Sequence, residues 1–317
     1  MSVNSTIRIG ILGGWDIVRK AYMPLLDDWE GVEIAGIFSR TTRTADEVAR
    51  RWGLDFSTDQ LDELIARDLE AAFVLTSNDS HFGLCQRLLE AGIDVYVEKP
   101  TTEYSWQTQT LAELAERKKR IFMVGFNRRY APLYRQAKEI FDGRPIRFCL
   151  VEKHRPGIRQ RDLLQTYLDD IIHQIDLLRY FTGEPRSIQT NYTLHEGQFL
   201  SAASLVGLPG GGTGLVLSSR DAGMWQERLT ISGGDLTVIV SAFRELRVLS
   251  KDHEEVFGTD RAGRWFPQLE ERGFVGEIEH FFDCVQNRTI PHSDGYDSVR
   301  TQQLLEAMVD NAVINIA

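Results

Sequence analysis

The sequence predicts an α/β protein in two parts: a doubly wound parallel sheet over residues 1–125, then an α+β domain over residues 126–317 with an open, largely antiparallel sheet. Three observations carry that reading. Short apolar runs alternate with amphipathic helical stretches through the first 125 residues. The first of those runs ends in a glycine turn. Beyond residue 126, strand-like runs follow one another with glycine-rich turns and little helix between them.

Ile7–Leu12 is the first apolar run, and helical spacing follows over Asp16–Asp28. Val32–Ser39 is a second strand, and the helical stretch TADEVARRWG stops at Gly53. A helix near Leu61–Arg67 precedes the continuous apolar run Ala71–Thr76. Helix HFGLCQRLLEAG then leads into IDVYVEK, and helix WQTQTLAELAERKK into RIFMVGF. Strands without polar alternation, separated by helices, belong to a parallel sheet covered on both faces. Right-handed crossovers wind such a sheet in both directions. In the second part, helices are expected over Ala131–Phe141 and Leu163–Phe181, with strand Ile146–Lys153 between them. The runs SIQTNYTLHE, QFLSAASLVG, TGLVLSS, ERLTISG, DLTVIVSA and ELRVLS follow, broken by turns at Pro209–Gly212 and Gly233–Asp235. Helices return at Phe274–Val285 and Val299–Ile314.

The formal net charge of −10 repels polyanions, and no Lys/Arg run offsets it, so nucleic acid is not an expected partner. Cys85, Cys149 and Cys284 lie far apart without metal-ligand spacing, so no metal site is expected and the thiols fit a reducing compartment. No segment reaches the roughly 18 apolar residues of a membrane span, nor does the N-terminus carry a basic and then apolar leader. A cytoplasmic protein with no membrane partner is expected.

A dinucleotide-binding turn wants G-x-G-x-x-G/A between the first strand and helix, for the turn itself, the approach to pyrophosphate and the packing of the helix. Here Gly13 suits the first position, but Trp15 and Val18 stand at the second and third. Gly13, Gly14, Trp15, Asp16 and Ile17 are the candidate cofactor residues. Taken alone, the turn leaves a cofactor site and a purely structural strand–turn–helix equally open. The second strand ends in Ser39-Arg40-Thr41, where a hydroxyl beside an arginine suits a 2′-phosphate and hence NADP rather than NAD. The same hydroxyls also serve as helix caps.

Three further segments carry a resemblance: Thr76-Ser77-Asn78-Asp79-Ser80-His81, Val97-Glu98-Lys99-Pro100 and Val124-Gly125-Phe126-Asn127-Arg128-Arg129-Tyr130. Together with Asp169, His173 and Asp176 in LDDIIHQIDLLRYF, they resemble the glucose–fructose oxidoreductase/inositol dehydrogenase (Gfo/Idh/MocA) family, nearest to its bacterial virulence-factor-like branch. The resemblance runs nearly end to end, through EKHR and LEERGFVGEIEHFFDCVQN. It implies an N-terminal Rossmann domain and a C-terminal domain whose sheet builds a homodimer or homotetramer. It further implies hydride transfer between NADP, or NAD, and a sugar, a polyol or a related small molecule. On this resemblance Thr76, Ser77, Asn78, His81, Glu98 and Lys99 lie on the cofactor side. Lys99, Asp169 and His173 are the catalytic candidates, and Asn127, Arg128, Arg129 and Lys153 those for substrate.

The chemistry is consistent with those residue types. Hydride leaves a carbon as its hydroxyl loses a proton, which calls for a base near neutrality, and histidine titrates there. Asp169 stands four residues before His173, hence on one helical face, where a carboxylate can orient the ring. Lys99 ends a strand at the edge where parallel sheets bind ligands. Alternating residues such as Leu229 and Ile231 beside Val238 and Val240 belong to a one-layer sheet whose second face needs a cover. Two other readings stay open at this point. One is a binding or regulatory module that has lost cofactor use, which Trp15 and Val18 favour. The other keeps a tightly bound nucleotide for non-oxidative chemistry.

Overall fold

The computed structural model describes residues 6–14, 16–157, 162–258, 268–310 and, as backbone alone, 312–316. Two compact units result. One comprises residues 1–126 with 274–300, the other 127–273 with 301–317.

The first unit is built on six parallel strands: β1 (Ile7–Leu12), β2 (Val32–Phe38), β3 (Ser57–Thr58), β4 (Ala71–Val74), β5 (Asp94–Glu98) and β6 (Phe122–Gly125). Their order, β3-β2-β1-β4-β5-β6, reverses direction between β1 and β4, as a doubly wound sheet does. β4, β5 and β6 are buried at every residue, which is why they read as strands without polar alternation, even with Asp94 and Glu98 at the ends of β5. The Asn78–Glu90 and Ser105–Lys118 helices are among its crossovers.

The helix Phe274–Asn287 departs from the sequence-based division. It packs with this first unit through an aromatic cluster: Phe281 lies 5.3 Å from Phe73 and 5.6 Å from Tyr96, ring centre to ring centre. Ser293 Oγ donates to the Val124 carbonyl at 2.8 Å and Thr101 Oγ1 meets Ser298 Oγ at 2.6 Å, so the segment after that helix belongs here too. An amphipathic helix announces that it has a buried face, but not what covers it.

The second unit carries a nine-stranded sheet of β7 (Phe148–His154), β8 (Ser187–His195), β9 (Gln198–Gly207), β10 (Thr213–Ser219), β11 (Gln226–Gly233), β12 (Leu236–Ser241), β13 (Glu245–Ser250), β14 (His253–Gly258) and β15 (Ala312–Ile316). The order is β14-β13-β12-β11-β7-β10-β9-β8-β15, antiparallel except where β10 runs parallel to β7 and β15 to β8. β15 corrects the sequence reading. The last helix is Gly295–Asp310, and the β-branched run that follows leaves it to become an edge strand.

The helices Pro132–Ile140 and Ile172–Thr182 pack on one face of this sheet. Leu229, Ile231, Val238 and Val240 are fully buried, on the same face as Cys149 and Val151, so they do not mark a face awaiting cover. The opposite face carries Leu150, Leu205, Leu215, Leu217 and Ile239, and Leu205 is 49% exposed. Among the described residues, no helix is long and apolar enough to cross a membrane.

Candidate active site

The turn after β1 depends on glycine for two separate reasons. Gly13 has φ +138°, a region L side chains rarely adopt, and a Cβ there would stand 2.6 Å from the Leu75 carbonyl oxygen. At Gly14 a Cβ would run into the Thr44 methyl. Trp15 lies outside the described residues. Asp16 is exposed and pairs with Lys20 at 2.6 Å, and Ile17 leads into a π-helical turn, Val18–Tyr22. That turn begins at the position where the family pattern has its third small residue.

At the end of β2, Ser39 is buried and its N–H donates to the Thr58 carbonyl at 3.1 Å. Thr41 caps the Thr42–Trp52 helix, accepting from the Thr44 N–H at 3.3 Å. Arg40 is exposed between them. Its charge reaches the start of the Asn78–Glu90 helix, where the Asp79 carboxyl is held below its usual range by a hydrogen bond from Ser77 and by Arg40.

The two loops at the C-terminal ends of β4 and β5 are tied together by His81. The ring is fully buried, with Nε2 3.1 Å from the Thr76 carbonyl and Nδ1 2.9 Å from the Pro100 carbonyl. Burial lowers its basicity. Thr76 also accepts from Ser80 Oγ at 2.7 Å, and Ser77 begins the helix that Asn78 enters. Glu98 supports the next residue directly: Oε2 accepts the Lys99 N–H at 3.0 Å, and Oε1 accepts the Tyr22 hydroxyl at 2.6 Å. Tyr22 and Tyr96 share a hydroxyl–hydroxyl bond of 2.7 Å, and burial, with Glu98 for Tyr22 and Glu277 for Tyr96, raises both phenols well above their usual range. Lys99 is half-buried and precedes a cis peptide to Pro100. His81 and Glu98 thus hold the loops from which Thr76, Ser77 and Lys99 project.

In the second unit Asn127, Arg128 and Arg129 lie in a buried 3-10 turn. Asn127 Nδ2 donates to the Arg272 carbonyl at 2.8 Å. Arg128 forms a fork on Glu227, with NH2 to Oε2 at 2.9 Å, and Arg129 a second fork on Asp176, with Nε to Oδ2 at 2.9 Å. The helix expected over Leu163–Phe181 contains a π turn, Tyr167–Ile171, that carries Asp169 and Asp170. In a π turn residues four and five apart share a face, so Asp169 and His173 remain on one side, and such turns recur at functional sites. Asp169 is half-buried and His173 is 7% exposed.

Asp170 points the other way, into charge. Lys153 Nζ lies 2.7 Å from its Oδ1, Arg155 2.9 Å from the same atom, and Arg220 2.9 Å from Oδ2. Burial alone would raise the Asp170 carboxyl, but Lys153, then Arg155 and Arg220, outweigh it and bring it to about 2. Burial brings the Lys153 ammonium down to about 7, against the pull of Glu227 and Asp170.

A family model described as an oxidoreductase family with an NAD-binding Rossmann fold matches residues 7–126. Over 312 residues the chain is 31% identical to a Salmonella typhimurium protein, YceM, described as an oxidoreductase, covering 97% of this chain and 99% of that one. The chain belongs to the Gfo/Idh/MocA oxidoreductase family. It is 24% identical to the scyllo-inositol 2-dehydrogenase (NAD(+)) of Bacillus subtilis, over 90% of this chain and 88% of the relative. The solved structure of a dehydrogenase (MviM) from Clostridium difficile matches with a TM-score of 0.89 and 25% identity, covering 96% of this chain and 99% of that one.

Within this Gfo/Idh/MocA fold, Asp170, Arg155, Arg220, Glu227 and Gln174 escaped the sequence reading. The segment E-K-H-R carried a signal. Alternation puts Lys153 and Arg155 on the face of Cys149 and Val151, and cations in such a buried row require partners.

Proposed function

We propose that the protein is an NADP(H)-preferring oxidoreductase that moves hydride between the nicotinamide and a hydroxyl-bearing carbon of a sugar, polyol or related hydroxy or keto compound. The observation that supports it most is the pair of braced loops in the first unit. His81 and Glu98 immobilise the backbone around Thr76 and Lys99 at the C-terminal edge of the parallel sheet, the edge where open α/β sheets take ligands. The turn after β1 suits a dinucleotide as well. Its glycine backbone at Gly13 and Gly14 has no room for a Cβ, and Arg40 stands exposed at the end of β2. Gly13, Gly14, Asp16 and Ile17 would hold the pyrophosphate end, with Trp15 beside them in sequence. Ser39, Arg40 and Thr41 would take the 2′-phosphate, and Thr76, Ser77, Asn78 and Lys99 the remainder.

When bound, the nicotinamide supplies the hydride acceptor or donor. Lys99 brings a positive charge for the reacting oxygen. His173 takes the hydroxyl proton in oxidation and returns it in reduction, and Asp169 fixes the imidazole. A family member that binds ligands without turnover is the second reading. Trp15, Val18 and the π turn that starts at Val18 favour it. Fluorescence titration with NADPH and NADH, followed by a turnover screen of sugars and polyols, separates the two. Turnover supports the first reading; a protein that binds neither nucleotide falls to the second.

A further inference from the structure

The helix-facing side of the nine-stranded sheet changes character along its strands. At one end β7, β10 and β11 present Cys149, Gly214 and Ile231 to the helices. At the other, Lys153 pairs in register with Ser218 on β10 and with Glu227 on β11, and all three are at most 5% exposed. Arg155 and Arg220 extend that row.

Cations crowd around one carboxylate at this polar end. Glu227 takes the fork of Arg128 and, with Glu271, offsets Arg272, while Asp170 pairs with three cations, Lys153, Arg155 and Arg220. Arg128 and Arg272 lie in the same cluster of charges. The repulsion is felt within it: after burial, Arg128 is what depresses Arg272 most, and Arg128 and Arg155 both depress Lys153. Two polar atoms add to the charge. Ser218 Oγ and Arg155 Nε are buried and make no hydrogen bond among the described residues. A buried hydroxyl and a buried guanidinium N–H left without acceptors are costly, and an anion reaching both would satisfy them. Access exists on one side, since the Arg155 side chain is 32% exposed.

We propose that this end of the sheet is a subsite for an anionic group of the substrate, a carboxylate or a phosphate, received by Arg155 and Ser218 with Lys153 and Arg220 behind them. The substrate is then an acidic or phosphorylated sugar or polyol rather than a neutral one. The assignment rests on the oxidoreductase reading for the word substrate, whereas the anion site stands on the side chains themselves.

Titration calorimetry at constant ionic strength, with inorganic phosphate, glucuronate and glucose as probes, tests it on the wild-type chain and on Arg155→Gln and Ser218→Ala. At least one anion should bind about tenfold or more tightly than glucose, the scale of one charge-assisted hydrogen bond. Arg155→Gln should lose that margin and Ser218→Ala should narrow it. Phosphate ahead of glucuronate supports a phosphorylated substrate, and the reverse order a sugar acid. Equal binding of all three probes, or a margin that survives both substitutions, overturns the subsite. NADPH titration of the same samples keeps the two claims apart: nucleotide binding without anion preference sinks the subsite alone, and anion preference without nucleotide binding sinks only the redox reading.

Discussion

Lys153 offers the sharpest test of the electrostatics, because its titration leaves a mark on stability. The ammonium is 1% exposed and brought down to about 7 from an ordinary 10.5, mainly by burial. Lowering the folded-state value of a base means that the unfolded chain binds the proton more tightly. Between pH 7 and 10.5 the unfolded state therefore holds a proton that the folded state has given up, and stability rises with pH. Integrating a single site from pH 7 to pH 9 gives about 2 kcal/mol, since one pH unit is at most about 1.4 kcal/mol. The window must stop near pH 9. Tyr22, Tyr96 and Tyr134 have phenols raised by burial, so unfolding releases their protons above about pH 10 and stability falls again. Urea unfolding at half-unit steps from pH 7 to 9, on the wild type and on Lys153→Met, measures the difference. The wild type should gain about 2 kcal/mol more across that range than the variant does. Parallel profiles would refute the reasoning and show that Lys153 keeps its proton within its ion pair with Asp170.

Other expectations follow from the same residues. His173→Ala should lower turnover by roughly 10²–10⁴-fold with the fold intact by circular dichroism, the range for a lost general base; unchanged turnover would remove His173 from the chemistry. Lys99→Ala should reduce turnover and nucleotide affinity together. Arg40→Ala should abolish a preference for NADPH over NADH of about 1.5–3 kcal/mol in calorimetry, the value of a charge-assisted contact, and equal affinities in the wild type would defeat that assignment. Light scattering at micromolar concentration should report a homodimer or homotetramer, and Leu215→Lys with Leu217→Lys on the half-covered sheet face should dissociate it. A wild-type monomer would count against assembly through that face.

Most of the architecture was legible because its causes are local. Runs buried on both faces read as parallel strands, and Gly53 stops its helix with φ +66° where the sequence placed the stop. Tertiary choices were not legible. Helix Phe274–Asn287 goes to the first unit because Phe281 completes an aromatic cluster drawn from β4 and β5. Ala312–Ile316 is a strand because β8 offers it an edge. At the candidate site the motif residues were legible, but the contacts they make were not. His81 turns inward to brace two loops, and Arg128 and Arg129 each end in a buried carboxylate fork. The charges on Asp170 come from β7 and from the residues that follow β7 and β10, and no spacing rule connects these to the helix that carries Asp170.

The central claim, that the first unit binds a nicotinamide dinucleotide on its glycine turn, is tested most directly by calorimetric titration of the wild type and of Gly13→Ala with NADPH. The account predicts saturable binding of one nucleotide per chain in the wild type. In the variant it predicts binding lost or greatly weakened, because a Cβ at Gly13 meets the Leu75 carbonyl. No heat of binding from the wild type, or equal affinity in the two proteins, would contradict it.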